Sequence, residues 1–209
     1  MTLVIWAALL SLAVASLFTG RWSAAFVALA TVALGQVPFL FQRWSGIRLP
    51  PGFLAAIVIF LAATLFFGEI GDFYERFWWW DVLLHGGSAM GFGLIGTVMV
   101  LMMAQGSRLV ASPLFIFLFS LSFAMAIGAT WEIFEFAMDQ IFGLNMQKSG
   151  LVDTMWDLIV DACGGLIGAG AGFAYAKGHE TGRLTSVIGD FIRENRALLD
   201  QGISAKDKS

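Results

Sequence analysis

Six long apolar segments constrain the fold of this chain more than any other feature of its sequence. A helix that crosses a bilayer needs about 20 mainly apolar residues, and only helices or closed barrels satisfy every backbone polar group in lipid. The segments lack the alternation of apolar and polar residues that marks barrel strands. They cover residues 3–19, 23–41, 53–68, 81–104, 113–142 and 153–176. The sequence therefore predicts an all-α polytopic membrane helix bundle, with six transmembrane helices within residues 1–176 and a C-terminal amphipathic helix within residues 177–209.

The composition of the 209-residue chain agrees with a membrane location. Hydrophobic residues make up 58% of the chain and charged residues 13%, and the mean hydropathy is +0.80, outside the usual range of soluble proteins. The net charge is −3, so the chain lacks the basic character of a nucleic-acid-binding protein. The expected partners are membrane lipids and either a larger membrane complex or a second copy of the chain in a homo-oligomer.

The distribution of Lys and Arg predicts the orientation of the spans. Nine of the twelve basic residues fall in loops 43–52 and 105–112 and in the tail, whereas Arg21, Arg76 and Lys148 fall on the other face. Because short cytoplasmic loops are enriched in Lys and Arg, the sequence predicts a multi-pass protein of the bacterial inner membrane with both termini in the cytoplasm. The first segment is predicted to be an uncleaved span, since no basic residue precedes it as in a signal peptide.

The tail after the last span carries apolar residues at helical spacing, with charged residues between them. A helix of this kind either lies in the cytoplasmic membrane interface or packs its apolar face on cytoplasmic loops or on a partner. The apolar stripe consists of Leu184, Val187, Ile188, Phe191, Ile192, Leu198 and Leu199.

Acidic residues and one histidine are concentrated at three predicted helix ends. Their spacings place them in one polar stripe on each helix, and the predicted topology places all three ends in the outer leaflet. An ionisable group in the hydrocarbon region costs about 2.5 to 3.5 kcal/mol, so such groups usually have a function. The candidate site residues are Asp81, His85, Glu132, Glu135, Asp139, Asp153, Asp157 and Asp161.

A bound divalent metal ion would balance this charge, because Arg76 and Lys148 are the only basic residues near these helix ends in the sequence. Several carboxylates favour Ca²⁺, Mg²⁺ or Mn²⁺, and His85 as a further ligand extends the choice to Zn²⁺ or a di-iron-type site. Acids that share protons are an alternative to a metal. A third interpretation, helix ends stabilised by the helix dipole, fits Asp81 and Asp153 but not the deeper residues.

Glycines at four-residue spacing predict close contacts between helices in the same spans. The last span contains Gly164, Gly168 and Gly172, and the fourth contains Gly87 and Gly91. Small residues at this spacing allow two membrane helices to approach closely. We therefore expect the polar stripes to lie near one another.

A set of short motifs lies within residues 68–176: Gly68-Glu69, Phe73-Tyr74, Trp80-Asp81, His85 and the stretches 131–136, 145–147 and 153–157. Together they resemble the YjdF-type family of uncharacterised bacterial and archaeal membrane proteins. The resemblance implies a multi-span membrane fold, but the family has no established activity to carry over.

The order of the acidic motifs is also similar to that of VanZ-like membrane proteins, which are associated with glycopeptide resistance. Their pattern runs Asp-Lys-x-x-His, Glu-x-x-Gln and Asp-x-x-x-Asn-x-x-Gly. In this chain Val82, Glu135 and Asp161 stand in place of the Lys, the Gln and the Asn. The chain is therefore more acidic than the pattern, which favours a bound cation.

Three functions are compatible with these residues. The first is a metal-dependent enzyme that acts on lipid or envelope substrates, with His85 transferring protons; Ser88 and Thr130 are candidate nucleophiles by position alone. The second is a non-catalytic subunit or assembly factor in which the cluster locks three helices together. The third is a proton- or cation-coupled transporter, which the scarcity of ionisable residues in the cytoplasmic halves of the spans disfavours.

Overall fold

All regular secondary structure in the described part of the chain is helical. The computed structural model describes residues 2–104 and 111–197, so the residues 105–110 of one predicted loop and the residues 198–209 of the predicted tail lie outside it. The helices are α1 (Thr2–Phe18), α2 (Trp22–Ser45), α3 (Pro51–Leu61), which continues as a π-helix (Ala62–Ile70), α4 (Phe73–Arg76), α5 (Trp79–Ala104), α6 (Pro113–Phe142), α7 (Leu151–Ala176) and α8 (Arg183–Glu194).

Five helices of the described residues are long and apolar enough to cross a membrane, which confirms an all-helical fold with several membrane spans. The first predicted segment is also helical, but α1 has only 17 residues, about 26 Å at 1.5 Å per residue, against a hydrocarbon thickness of about 30 Å. The prediction of six spans therefore holds for five of them. The five candidate spans are Ala24–Ser45, Pro51–Gly68, Trp79–Ala104, Pro113–Phe142 and Leu151–Ala176.

Local residues specify where these helices begin and end. Ser112 caps α6 by accepting a hydrogen bond from the backbone N–H of Phe115 at 3.2 Å, and Pro113 follows at the first helical position, where its missing N–H costs nothing. α6 ends at Gly143, which adopts the left-handed conformation at φ 66° that glycine reaches without strain.

The chain forms two compact units, Met1–Trp80 and Asp81–Ser209. In the first unit α1 packs against α2, and α2 packs against α3 and the π-helix. A Cβ atom added to Gly35 would overlap the Trp6 indole, and one added to Gly68 would overlap the Tyr74 ring. These two glycines therefore make room for large aromatic rings between the elements of this unit.

In the second unit, α5 and α7 run parallel in backbone contact. A Cβ atom added to Gly164 would overlap the Gly86 carbonyl oxygen, and one added to Gly168 would overlap that of Met90. Farther along, a Cβ on Gly172 would overlap the Thr97 hydroxyl. The predicted role of the three glycines of α7 is therefore consistent with the structure.

The prediction that Gly87 and Gly91 of α5 form a close helix contact is wrong. Among the described residues, no atom beyond the adjoining backbone lies within 4 Å of a Cβ built on Gly87 or Gly91. By contrast, a Cβ built on Gly93 lies 3.0 Å from the Gly168 Cα atom, and one on Gly96 lies 2.9 Å from the Ser120 Cα atom of α6. The four-residue spacing identified the correct helix but the wrong face, because a helix turn of 3.6 residues separates neighbouring positions by 100°.

The tail helix α8 packs onto the bundle of the second unit. Ile188 is fully buried and forms one core cluster with Leu94 of α5 and Ala171 of α7; Leu184 and Ile192 pack against this cluster. The apolar stripe is thus covered by α5 and α7. Within the described residues the stripe therefore packs on helices of the same chain, which corrects the prediction that it packs on loops or on a partner. A position of α8 in the cytoplasmic interface stays a prediction, and Leu198 and Leu199 lie outside the described residues.

Candidate functional site

Three helix ends of the second unit meet at one end of its bundle: the start of α5, the end of α6 and the start of α7. α6 and α7 are connected by the short segment 143–150 and pack together as an antiparallel pair. α5 runs parallel to α7, as the contacts from Gly86–Gly164 to Thr97–Gly172 demonstrate. The polar stripes predicted on these three helices therefore belong to one region.

Asp81, His85 and Asp157 form the centre of this region. Each residue offers one ligand atom, and these atoms all lie within 4.8 Å of one another. His85 Nε2 lies 3.9 Å from Asp81 Oδ1. His85 and Asp157 are buried, whereas the Asp81 side chain remains 25% exposed and forms the open side of the group. We call these three residues the central group.

Asp161 lies behind His85, one turn deeper along α7 than Asp157. Its Oδ1 atom is 3.3 Å from His85 Nδ1, within hydrogen-bonding distance. A carboxylate in this position orients an imidazole and leaves its other nitrogen free for a ligand. Nε2 is therefore the nitrogen of His85 that faces Asp81.

Gly128 of α6 accommodates the Asp161 side chain. A Cβ atom at position 128 would overlap Asp161 Oδ2, so any residue larger than glycine would displace this carboxylate. The sequence reasoning missed Gly128. Its spacing of four residues before Glu132, which places both on one face of α6, is the signal that could have identified it.

Glu132 is a buried acid of α6 whose carboxylate oxygens both lack a hydrogen-bond partner among the described residues. The residue is 4% exposed, and Asp161 Oδ2 likewise has no such partner among the described residues. The Thr154 side chain and His85 are near enough to Glu132 to interact with it, but neither gives it a hydrogen bond of normal geometry. Buried polar atoms without partners are costly, so these oxygens are free to accept hydrogen bonds from a bound water molecule or to contact an ion.

Glu135 and Asp139 do not belong to the central group, although Glu135 interacts electrostatically with Glu132, His85 and Asp81. Glu135 is half-buried and accepts a hydrogen bond from Trp131 Nε1 at 2.9 Å. Asp139 accepts hydrogen bonds from the backbone N–H groups of Met146 at 2.7 Å and Gln147 at 2.9 Å. Both acids thus have partners of their own, and Asp139 stabilises the segment that connects α6 to α7.

Asp153 lies at the start of α7 and is half-buried. It interacts electrostatically with Asp81 and with Lys148, but it does not belong to the central group. Its position in the first helical turn is favourable for a carboxylate.

The two hydroxyl groups considered as nucleophiles bond to their own helices. Ser88 Oγ donates to the His85 carbonyl at 2.9 Å, and Thr130 Oγ1 donates to the Ala126 carbonyl at 2.7 Å. An activated hydroxyl nucleophile needs a side-chain base within hydrogen-bonding reach. Each hydroxyl instead has a backbone acceptor, which gives no support to a serine or threonine nucleophile at this site.

The donor atoms of the central group suit a divalent metal. Imidazole and carboxylate ligands occur together at catalytic zinc sites and at non-haem iron sites, and carboxylates also suit manganese; here the carboxylates outnumber the imidazole by two to one. The Asp161 contact provides the outer hydrogen bond that metal-bound histidines usually make. The residues present therefore fit such an ion.

Comparisons with known proteins place the chain among membrane proteins without an assigned role. Residues 1–178 match the family described as "Predicted membrane protein (DUF2238)", which is consistent with the YjdF-type resemblance. An "Uncharacterized protein" of Thermotoga maritima is 27% identical over 132 residues, which are 62% of this chain and 66% of that protein, just under two thirds of its length. No solved structure matches the chain. Because the family match extends over most of the sequence, the chain belongs to the DUF2238 family of predicted membrane proteins.

Proposed function

We propose that this protein is a metal-binding protein of the bacterial inner membrane that holds one divalent cation between Asp81, His85 and Asp157. The observation that supports the proposal most directly is the convergence of three ligand atoms within 4.8 Å of one another. In this proposal His85 is a ligand through Nε2, rather than a proton-transfer residue, because its Nδ1 atom faces Asp161.

The charge of the region supports the same proposal. Asp157 and Asp161 are buried beside Glu132, and Asp157 interacts electrostatically with Asp81 and Glu132. Like charges in a region of low dielectric constant repel strongly, and His85 is the only basic side chain among these residues. A divalent cation would offset the repulsion and would connect α5 to α7.

We further propose that α1 is a sixth span, so that both termini lie in the cytoplasm and the site lies in the outer leaflet. Six spans and the excess of basic residues in loop 43–52, loop 105–112 and the tail support this orientation. We also propose a distant relationship to VanZ-like proteins. It rests on the similar order of the acidic motifs, which in this chain contain Asp81, His85, Glu132 and Asp157.

Metal content and thermal stability test the metal site. Protein in lipid nanodiscs, incubated with zinc or manganese and desalted, is expected to retain about one ion per chain by elemental mass spectrometry. At 100 times the dissociation constant, a ligand that binds only the folded state stabilises it by about 2.7 kcal/mol. We expect this stabilisation in the natural protein and its loss in Asp157→Asn, whereas chelation should remove the difference between the two.

The matched control for this test is Asp190→Asn. Asp190 is half-exposed and pairs with Arg193 on α8, so its loss removes one carboxylate of the same unit without touching the site. The control should bind metal like the natural protein. Absence of metal from the natural protein, or equal metal stabilisation of Asp157→Asn, would refute the proposed site.

Cysteine labelling tests the orientation. Cys163 is exposed, so the experiment begins from Cys163→Ala. We expect a membrane-impermeant maleimide to label Ser149→Cys, in the exposed part of segment 143–150, in intact cells, and to label Thr181→Cys only after lysis. The opposite pattern would invert the proposed topology.

A further inference from the structure

We infer that Glu132 is the general base for a water molecule bound at the central group, and that this centre hydrolyses an acyl ester at the membrane interface. The inference rests on the proposed metal site. It adds an activity and a substrate class to that site. It also gives a role to the buried carboxylate of Glu132, which is not one of the three metal ligands.

Glu132 lies close to the central group without belonging to it. It interacts electrostatically with His85 and with Asp157, but its oxygens are not among the ligand atoms that lie within 4.8 Å of one another. Glu132 is 96% buried, since its exposed fraction is 4%, and both of its oxygens lack a partner among the described residues. A water molecule between the ion and this carboxylate would satisfy these oxygens.

The number of ligands distinguishes a catalytic site from a structural one. Structural zinc sites are closed by four protein ligands, whereas catalytic sites have three and keep one position for water. The central group supplies three, two of them from α5 and one from α7, and Glu132 comes from the third helix, α6. A nearby carboxylate that is not a ligand is the group that accepts a proton from the bound water.

The reaction balances with water as the only co-reactant. The Glu132 carboxylate takes a proton from the water, and the water oxygen forms a bond to the ester carbonyl carbon. The bond from this carbon to the alkoxy oxygen then breaks, and the protonated Glu132 returns its proton to the departing alcohol. The products are a carboxylate and an alcohol, and the second proton of the water is released to solvent.

The charge of the site selects the substrate class. The site collects four carboxyl groups, those of Asp81, Asp157, Asp161 and Glu132, but one basic side chain, that of His85. This excess of acidic groups disfavours a phosphodiester, which is itself an anion, and admits a neutral carboxylic ester.

The depth of the site agrees with an ester in a lipid. His85 lies six residues from the start of α5 and Asp157 six residues from the start of α7, about 9 Å along each helix. With both helix starts in the outer interface, as in the proposed topology, this depth corresponds to the acyl ester groups of lipids, which lie between the headgroups and the hydrocarbon. The partly exposed Asp81 side chain marks the side from which the ester would enter.

Hydrolysis by the full chain in nanodiscs tests the inference. The probes are p-nitrophenyl octanoate, a neutral ester that partitions into the bilayer, and bis(p-nitrophenyl) phosphate, an anionic diester. Zinc-loaded protein is expected to release p-nitrophenolate from the octanoate, and chelation should abolish the release. Glu132→Gln has the shape of the natural residue but accepts protons poorly, so kcat should fall by about 10²- to 10⁴-fold while zinc content remains unchanged.

Zinc content, measured on every sample, separates the two proposals. Asp190→Asn should hydrolyse the octanoate like the natural protein. A zinc-loaded protein that cleaves neither probe, or cleaves only the phosphodiester, would overturn the inference but leave the metal site intact. Full activity of Glu132→Gln would overturn it too, whereas a protein that binds neither zinc nor manganese would refute the metal site itself.

Discussion

Replacing Gly164 with alanine is expected to destabilise the second unit, because the added Cβ atom would overlap the Gly86 carbonyl oxygen of α5. The obstacle is backbone, so the two helices must separate. Overpacking of this kind costs about 1 to 3 kcal/mol, which lowers the melting temperature of a chain of this size by about 2 to 12 °C. Gly164→Leu should prevent the helices from packing at all. Circular dichroism in detergent micelles measures both effects.

The same helix provides the control for this prediction. Gly170 also lies in α7, but a Cβ atom built on it has no neighbour within 4 Å in the described part of the chain, apart from the adjoining helix backbone. Gly170→Ala should leave the melting temperature unchanged or raise it slightly, because alanine has the higher helix propensity. If Gly164→Ala melted like Gly170→Ala, the contact between α5 and α7 would have to be abandoned.

Replacing His85 with glutamine is expected to abolish metal binding while the helices remain folded. Glutamine preserves polarity and approximate size, but it supplies no imidazole nitrogen to a metal. The metal content of the variant should fall to background, and its melting temperature should match that of the chelated natural protein. Elemental mass spectrometry and circular dichroism measure these results. Full metal occupancy of His85→Gln would exclude the histidine as a ligand.

Asp161→Asn distinguishes a ligand from a residue that positions one. Asp161 contacts His85 Nδ1 and does not belong to the central group, so its change should weaken metal binding without abolishing it. Outer hydrogen-bond partners of metal ligands typically contribute 10- to 100-fold in affinity. We expect a loss of this size by titration calorimetry, with one ion per chain still bound at saturation. A complete loss would instead assign Asp161 to the ligands.

The helices themselves could be predicted from the sequence because their causes are local. Each long apolar segment must hydrogen-bond its own backbone in lipid, and this requirement holds whatever the neighbouring segments are. Residues such as Ser112 and Gly143 set the ends of α6 through their own backbone contacts. The three acidic helix ends were recognisable for the same reason, since charged groups in apolar segments are conspicuous without any knowledge of packing.

The sequence pattern could not predict which acids lie close together, because this depends on contacts between different helices. Glu135 and Asp139 have the helical spacing of a shared stripe, yet one pairs with Trp131 and the other with the backbone of the connecting segment. Asp161 reaches His85 beside Gly128, a residue of another helix. Periodicity identifies a stripe on one helix but not the rotation of that helix against its neighbours.

The sequence by itself determined an all-helical membrane protein with its ionisable residues at three helix ends, because the cost of placing polar groups in lipid acts on each segment separately. Only the tertiary structure decided that Asp81, His85 and Asp157 converge, that Gly86 rather than Gly87 faces α7, and that α8 covers α5 and α7. These outcomes depend on steric fit between helices distant in the sequence, where a rotation by one residue, 100°, exchanges a buried position for an exposed one.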